Sequence, residues 1–532
     1  MTGAFVFALL LAASLSPASA QERASPSAHS APRELPPAVR REFRGAWLVT
    51  VNNSDWPSRP GLSTWEQQQE LLALLNKAVE LKLNAVIFHV RTGADAFYDS
   101  PYEPWAQFLT GVQGRAPEPA WDPLAFAVAK AHERGLELHA WFNPYKAHYT
   151  KDTAVAARNH VVRQRPDIVY SYGRFVWMDP GMLEVRRRAL RAITDVVRRY
   201  DVDGVHIDDF FYPYPEKDSS GATIDFPDSA TYARYRRAGG TLATDDWRRR
   251  NIDLFVEALY RDVKRLKPWV KVGISPFGIW RPGNPAQIKG FDAYAQIYAD
   301  SRKWLERGWL DYFTPQLYWA IEPPQQSYPV LLDWWLAQNP RHRHIWPGLY
   351  TGRVGATTAA AWPAEEIVHQ VELTRERAGT GATGNVHFPM RVFLNDPDSL
   401  DEKLGRLYAD PALVPASPWL DARAPERPAI RVVTDAATGD KILMLSPAGG
   451  QRTWLWTVRT RMGDRWTTEI LPGAERKHRL ASGDSASEVC VTAVGRTGNE
   501  SRLAQTTIRW HSRLPSSRRS NDSAGLSKRP FE

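Results

Sequence analysis

From residue 44 to residue 389 the chain alternates between short β-branched or aromatic runs and longer stretches whose apolar residues recur every three or four positions. Strand–helix alternation of this kind builds parallel sheets covered by helices, and it constrains the fold more than any other feature. The strand candidates are 44–50, 84–90, 137–143, 204–208, 271–275, 312–316, 344–349 and 384–389. Helical patterns lie between them, clearest in "TWEQQQELLALLNKAVELK" and "DPLAFAVAKAHERG". Eight strands with intervening helices predict an α/β fold, a (β/α)8 TIM-like barrel over 42–410. A doubly wound sheet would carry a Gly-rich phosphate turn after an early strand, and none is present. The barrel is long for its type. The excess falls after strand ends, at 91–122, 143–180 and 209–245, where such a barrel builds its active face.

After "ASPWLDARAPERP" the pattern changes. Residues 426–511 hold seven short strand-like runs with turn residues between them, which predicts a C-terminal fibronectin type III-like β-sandwich. No motif in it carries chemistry, and glycan binding and a structural role both remain open for it.

The first twenty residues hold one apolar run too short to span a bilayer, ending in Ala18-Ser19-Ala20, the small-x-small pattern of signal-peptidase cleavage. The expected organisation is a signal peptide at 1–20, a Ser/Ala/Pro-rich linker at 21–41, and a disordered basic tail at 512–532. No later segment reads as transmembrane, so the protein is expected to be periplasmic or secreted. Cys490 is the sole cysteine, so no intrachain disulfide forms and no lipid-anchor cysteine follows the signal. Export without disulfides fits a bacterial envelope protein with a large core. The formal charge of +9 should draw an exported chain to polyanions such as wall polymers. Nucleic acid is set aside, because the basic residues are scattered along helices and no nucleic-acid-binding motif occurs.

The chemistry concentrates in "DVDGVHIDDFFYPYP", 201–215. Side chains alternate along a strand, so His206 and Asp208 share one face and Val205 and Ile207 the other. The apolar pair should face the helices, leaving His206 and Asp208 pointing into the barrel, with Asp209 opening the loop above. Two adjacent carboxylates among Phe210, Phe211, Tyr212 and Tyr214 repel each other, and an apolar setting raises at least one pKa. The remaining strand ends carry aromatic faces that stack on sugars, together with amides and guanidinium groups that bond hydroxyls and carboxylates. The chain has 22 tryptophans in all. The substrate-binding candidates are Arg91, Asn143, Tyr145, His206, Tyr212, Trp280, Gln316, Tyr318, Trp319 and Arg353. The catalytic candidates are Asp208, Asp209 and Glu322.

The stretches "EFRGAWLVTVNNSDWPS", "HVRTGADAFYDS", "HAWFNPYKAH", "DGVHIDDFFYPYP", "VGISPFGIWR", "DYFTPQLYW" and "PGLYTGR" together resemble the glycosyl-hydrolase-like 10 family, formerly domain of unknown function 187, over about 42–400. The resemblance implies an envelope glycosidase with a (β/α)8 barrel that cleaves peptidoglycan glycan strands stripped of their stem peptides. Family members are often lipoproteins, whereas no lipobox cysteine occurs here.

Adjacent carboxylates are poorly placed to flank a glycosidic bond, but they suit substrate-assisted hydrolysis, in which the sugar's 2-acetamido group is the nucleophile. On that reading Asp209 is the acid and Asp208 orients the acetamido group. A two-carboxylate mechanism would instead pair an aspartate with Glu322. Two other classes compete. His89, His139, His206, Asp208 and His387 lie on barrel strands and could serve a metal-dependent hydrolase or deacetylase. The first strand lacks the ligand pair of amidohydrolase-type barrels, so neither a metal nor another cofactor is expected. The second competitor is a non-catalytic wall-glycan-binding protein.

Overall fold

The computed structural model describes residues 35–357, 360–480 and 486–508. The signal peptide expected at 1–20, residues 21–34 of the linker and the tail at 512–532 lie outside the described residues. Within the range read as linker, Arg40–Arg41 pairs in parallel with Ala412–Leu413.

Nine strands form one parallel sheet among the described residues. They are β1 (Phe43–Leu48), β2 (Ala85–Arg91), β3 (Glu137–Phe142), β4 (Gly204–Ile207), β5 (Lys271–Ile274), β6 (Tyr312–Phe313), β7 (His344–Ile345), β8 (Gly348–Leu349) and β9 (Gly384–His387). Their order is β7-β6-β5-β4-β3-β2-β1-β9-β8. The two edge strands β7 and β8 are consecutive pieces of one segment, so the sheet curls until both its edges fall in the same stretch of chain. A single strand was expected at 344–349. Pro347, which has no N–H to give to a ladder, splits it. Before the break the Trp346 amide donates to the Phe313 carbonyl at 2.9 Å, and after it the Val386 amide donates to the Pro347 carbonyl at 3.1 Å. The segment thus passes from one neighbour to the other.

Helices follow the strands where the sequence signals them. Thr64–Glu80 starts at a capping box made by Ser63 and Glu66, and it buries Leu71, Leu74, Leu75 and Ala78 on one face. Pro123–His132 starts with proline in its first turn and the Asp122 side chain capping the Ala125 amide. Outward-facing Val86, Phe88, Val205 and Ile207 pack into the cluster shared with the helices, while Phe43, Trp47, Ile87, Trp141, Tyr312, Trp346 and Val386 fill a separate cluster inside the curled sheet. The in–out alternation expected for β4 is the one observed.

The long stretch after β3 folds into a small antiparallel sheet of Lys146–His148, Phe175–Met178 and Val169–Tyr172, in that order. Beyond residue 426 two antiparallel sheets, of three and four strands among the described residues, share a core of Leu443, Leu445, Trp456, Val458, Val489 and Val491. That arrangement is consistent with a β-sandwich. Among the described residues no helix is long and apolar enough to cross a membrane.

Candidate active site

The C-terminal ends of the strands surround a cavity of about 460 Å³. Asp208 and Asp209 line it from just beyond β4, facing Asn143 and Lys146 from the stretch after β3 and Gln316 and Tyr318 from the stretch after β6. Trp47, His89, Trp141, Phe175, Phe210 and Phe388 give it an aromatic wall. Asp208 and Asp209 are the only carboxylates among the lining residues.

Both aspartates are buried, at 4% and 5% exposure. Asp208 accepts a hydrogen bond from the Phe210 amide at 3.3 Å. With its amide nitrogen turned to the carboxylate, the orientation that satisfies both groups, Asn143 donates to Asp208 Oδ2 at 2.8 Å and Oδ1 at 3.2 Å. The Tyr214 hydroxyl donates to Asp209. Gln316 lies beside Asp209 and donates its amide to the Ser275 carbonyl at 2.8 Å. Burial is the main cause that pushes the Asp208 carboxyl well above the usual carboxylate range, with the charge of Asp209 adding to it. Burial likewise raises Asp209, against the opposing Tyr214 bond. Two such neighbours titrate as a pair, and the pair retains a proton above the ordinary carboxylate range.

Lys146 is the counter-charge. Its ammonium lies 4.0 Å from the Phe210 ring centroid and 4.7 Å from that of Phe175. Burial lowers its pKa to about 8, and the two aspartates oppose that fall. The Trp141 ring stacks on His89 with centroids 3.9 Å apart. Burial, reinforced by Lys146, brings His89 down to about 3, so this imidazole is neutral.

Beneath the cavity the interior polar groups form a connected chain. The Trp47 indole N–H donates to His206 Nε2 at 3.2 Å, which fixes Nε2 as an acceptor, and the Ser275 hydroxyl reaches the same nitrogen at 2.8 Å. His206 Nδ1–H then donates to the Tyr312 oxygen at 3.0 Å, and the Tyr312 hydroxyl donates to His139 Nδ1 at 2.8 Å. His139 Nε2 meets Glu137 at 3.0 Å, and Lys271 completes the chain with Glu137 at 2.8 Å. His206 is therefore a support under the floor rather than a substrate contact, and burial keeps it neutral.

The structure brings Asp208, Asp209, Asn143, Gln316 and Tyr318 together and separates the other candidates from them. Arg91 is fully buried and held bidentate by Glu103 at 2.6 and 2.7 Å, so its guanidinium is already satisfied. Tyr145 is buried against Phe255, and Tyr212 is buried against Phe226 and Tyr298. Trp280 stacks on Trp334 and bonds Asp300, while Trp319 packs edge-on to Phe277. Arg353 lies over Tyr350 and Trp362 and donates to the Ala360 carbonyl. Glu322 is exposed and does not line the cavity. The residues weighed as metal ligands do not converge either. His139 and His206 belong to the interior chain, and His387 bonds Thr351 and Tyr408. Among the described residues no group of three or more His, Cys, Asp or Glu could hold a metal ion. Lys146 stands among the sugar-binding groups that the strand ends offer in the sequence, but the catalytic and substrate-binding candidates leave it out, together with Arg174 and the rings of Trp47, Trp141, Phe175 and Phe388. "FNPYKAH" held the only signal for Lys146, a cation directly after an aromatic and four residues past the end of β3.

The family model described as Glycosyl hydrolase-like 10 matches residues 42–363, the span that holds every residue of the cavity up to Tyr318. The chain belongs to the glycosyl hydrolase-like 10 family. It is 39% identical over 424 residues to Glycosyl hydrolase YngK of Bacillus subtilis (strain 168), which covers 78% of this chain and 81% of the relative. It is 35% identical over 354 residues to Glycosyl hydrolase DigH of Escherichia coli (strain K12), which covers 62% of this chain and 78% of that one. Among solved structures, the PgaB (BpsB) glycoside hydrolase domain from Bordetella bronchiseptica superposes with a TM-score of 0.46 at 13% identity, over 68% of this chain and 98% of that domain.

Proposed function

We propose that this protein is an exported glycoside hydrolase acting on peptidoglycan glycan strands that lack stem peptides. On this reading the curled sheet, with the split segment 344–349 counted as one strand, is a (β/α)8 barrel. The C-terminal unit is of fibronectin type III kind. The observation that carries the proposal is the pair of adjacent buried carboxylates lining an aromatic-walled cavity, with no third carboxylate among the lining residues. From neighbouring positions on the chain the two acids approach a substrate from one side, whereas a two-carboxylate displacement needs them on both. Hydrolysis assisted by the substrate's own 2-acetamido group fits that geometry. Asp208, fixed by Asn143 and the Phe210 amide, orients the acetamido group, and Asp209, at the start of the loop, protonates the leaving oxygen. The exposure of Glu322 away from the cavity supports neither of the acid roles for it.

Two substrates separate the roles. On denuded glycan strands, Asp208→Asn and Asp209→Asn should each lower kcat/KM by about 10²–10⁴-fold, the range that general acid–base catalysis supplies. On an N-acetylhexosaminide with a nitrophenolate leaving group, which departs without protonation, Asp209→Asn should recover most of its rate and Asp208→Asn should not. Glu322→Gln should match the wild type on both. Loss of activity in Glu322→Gln with Asp209→Asn unaffected would transfer the acid role and sink the assignment. Tight glycan binding without products in the wild type would replace hydrolysis by binding.

A further inference from the structure

Two cations, Lys146 and Arg174, line the cavity. Lys146 lies among the aromatic rings, where the two aspartates act on its charge. Arg174 stands at the cavity rim. It sits at the turn of a tight hairpin in which Tyr172 pairs with Phe175, with Gly173 at φ +54° supplying the left-handed residue that such a turn needs. The turn presents Arg174 exposed, with its guanidinium carbon 4.7 Å from the Phe175 ring centroid. The Lys146 ammonium lies 4.7 Å from the same centroid, so one ring joins the two cations. Among the described residues neither cation has a carboxylate within ion-pair distance, in contrast to Arg91, Arg248 and Arg496, which are each held by acids.

We propose that Arg174, with Lys146 behind it, forms a subsite for a free carboxylate on the substrate, so that the cavity selects an acidic sugar over a neutral or amidated one. The inference rests on the reading of this cavity as a glycan site and adds how that site tells its substrates apart. A planar guanidinium matches a carboxylate through two parallel hydrogen bonds, and at the cavity rim it meets that group without first giving up a partner. An amide bond to the sugar's carboxyl, as a stem peptide makes, removes the charge and one acceptor oxygen. A preference for peptide-free strands then follows from chemistry at Arg174 as well as from the steric bulk of a peptide.

Binding tests this separately from hydrolysis. The full chain carrying Asp209→Asn, which leaves the ligand intact, would be titrated by calorimetry with three tetrasaccharides of equal length. One is the N-acetylglucosamine–N-acetylmuramic acid repeat with free lactyl carboxylates. The second is the same with those carboxylates converted to primary amides, and the third is neutral chitotetraose. The free acid should bind tighter than its amide by about tenfold or more, as a charge-assisted pair supplies. Adding Arg174→Gln should remove that preference by weakening the free acid far more than the amide or chitotetraose, and Arg174→Lys should keep part of it. Equal binding of acid and amide by the Asp209→Asn chain, or a preference that survives Arg174→Gln, overturns the subsite and leaves the glycan reading standing. Binding of none of the three overturns the glycan reading and the subsite with it.

Discussion

Asp208 sits where a charge is costly. Burial and the neighbouring Asp209 raise its pKa, and the bonds from Asn143 and the Phe210 amide and the charge of Lys146 offset only part of that rise. A carboxyl whose folded pKa exceeds its unfolded value, about 3.9 for Asp, stabilises the fold fully only below the unfolded value. That contribution is lost as pH climbs through the folded pKa. At neutral and alkaline pH the native state is therefore strained by a group that the proposed chemistry requires. Asp208→Asn keeps the shape and removes the charge. It should raise unfolding stability by about 1–2 kcal/mol at pH 8, with much less gain at pH 4, while lowering kcat/KM by about 10²–10⁴-fold. Calorimetric melting of both proteins at the two pH values reads the difference. A destabilised variant at pH 8 would mean that the hydrogen bonds from Asn143 and Phe210 outweigh the burial of charge.

At the scale of elements, the inside of the curled sheet is unusually aromatic, and small residues on adjacent strands make room for it. On β5, Gly273 is in register with Tyr312, and a Cβ at position 273 would stand 1.9 Å from the Tyr312 ring. Tyr312 is the joint between His139 and His206, so displacing it breaks the chain that supports Ser275 and the cavity floor. Gly273→Ala should therefore cost about 1–3 kcal/mol, as overpacking does, and should also lower kcat/KM. Melting temperature and steady-state kinetics together check this. A variant with wild-type stability and rate would show that the interior yields without effect. The sequence reveals the strand content of this sheet and which side of β4 faces inward, because period-two alternation is a property of the backbone itself. It is less informative just past the strand ends. Tyr145, Tyr212, Trp280, Trp319 and Arg353 stand where the chain has left the ladder, and there local packing decides which way a side chain turns. Lys146 faces the acids across the cavity because 146–148 pairs with 175–178, a contact across some thirty residues that no local pattern records. Arg174 was invisible for the same reason.

At the scale of the whole molecule, the C-terminal sheets are not a detachable appendage, since the described residues from 38 to 508 belong to one compact unit. The junction centres on Asp201 and Asp203, just before β4, the strand that carries the acid pair at its end. Arg496 contacts Asp201 at 2.9 Å and Asp203 at 2.7 Å, and its guanidinium lies 4.6 Å from the Trp454 ring centroid. Asp203 is almost fully buried and also meets His132 Nε2 at 2.9 Å. Despite the burial that opposes it, Arg496 holds the Asp203 carboxyl well below the ordinary carboxylate range, with His132 assisting. A carboxyl depressed in this way contributes stability above its unfolded pKa and loses it as pH falls toward the folded one. Arg496→Met removes the cation and leaves a buried carboxylate without its main partner, a change that costs about 3–5 kcal/mol when the pair is deeply buried. Because Arg496 is itself partly at the surface, the lower end is expected. Chemical denaturation at pH 7 should show a loss of about 3 kcal/mol that shrinks toward pH 3, where wild-type Asp203 begins to lose its advantage. Because the Asp203 carbonyl accepts from the Lys271 amide and its carboxylate accepts from the Leu138 amide, the damage should reach β3, β4 and β5 together. Hydrogen exchange in those strands should rise along with exchange in the C-terminal sheets. If only the C-terminal sheets loosened and the strands beneath the acid pair kept their protection, the junction would be an attachment point and not part of what holds the active face in place.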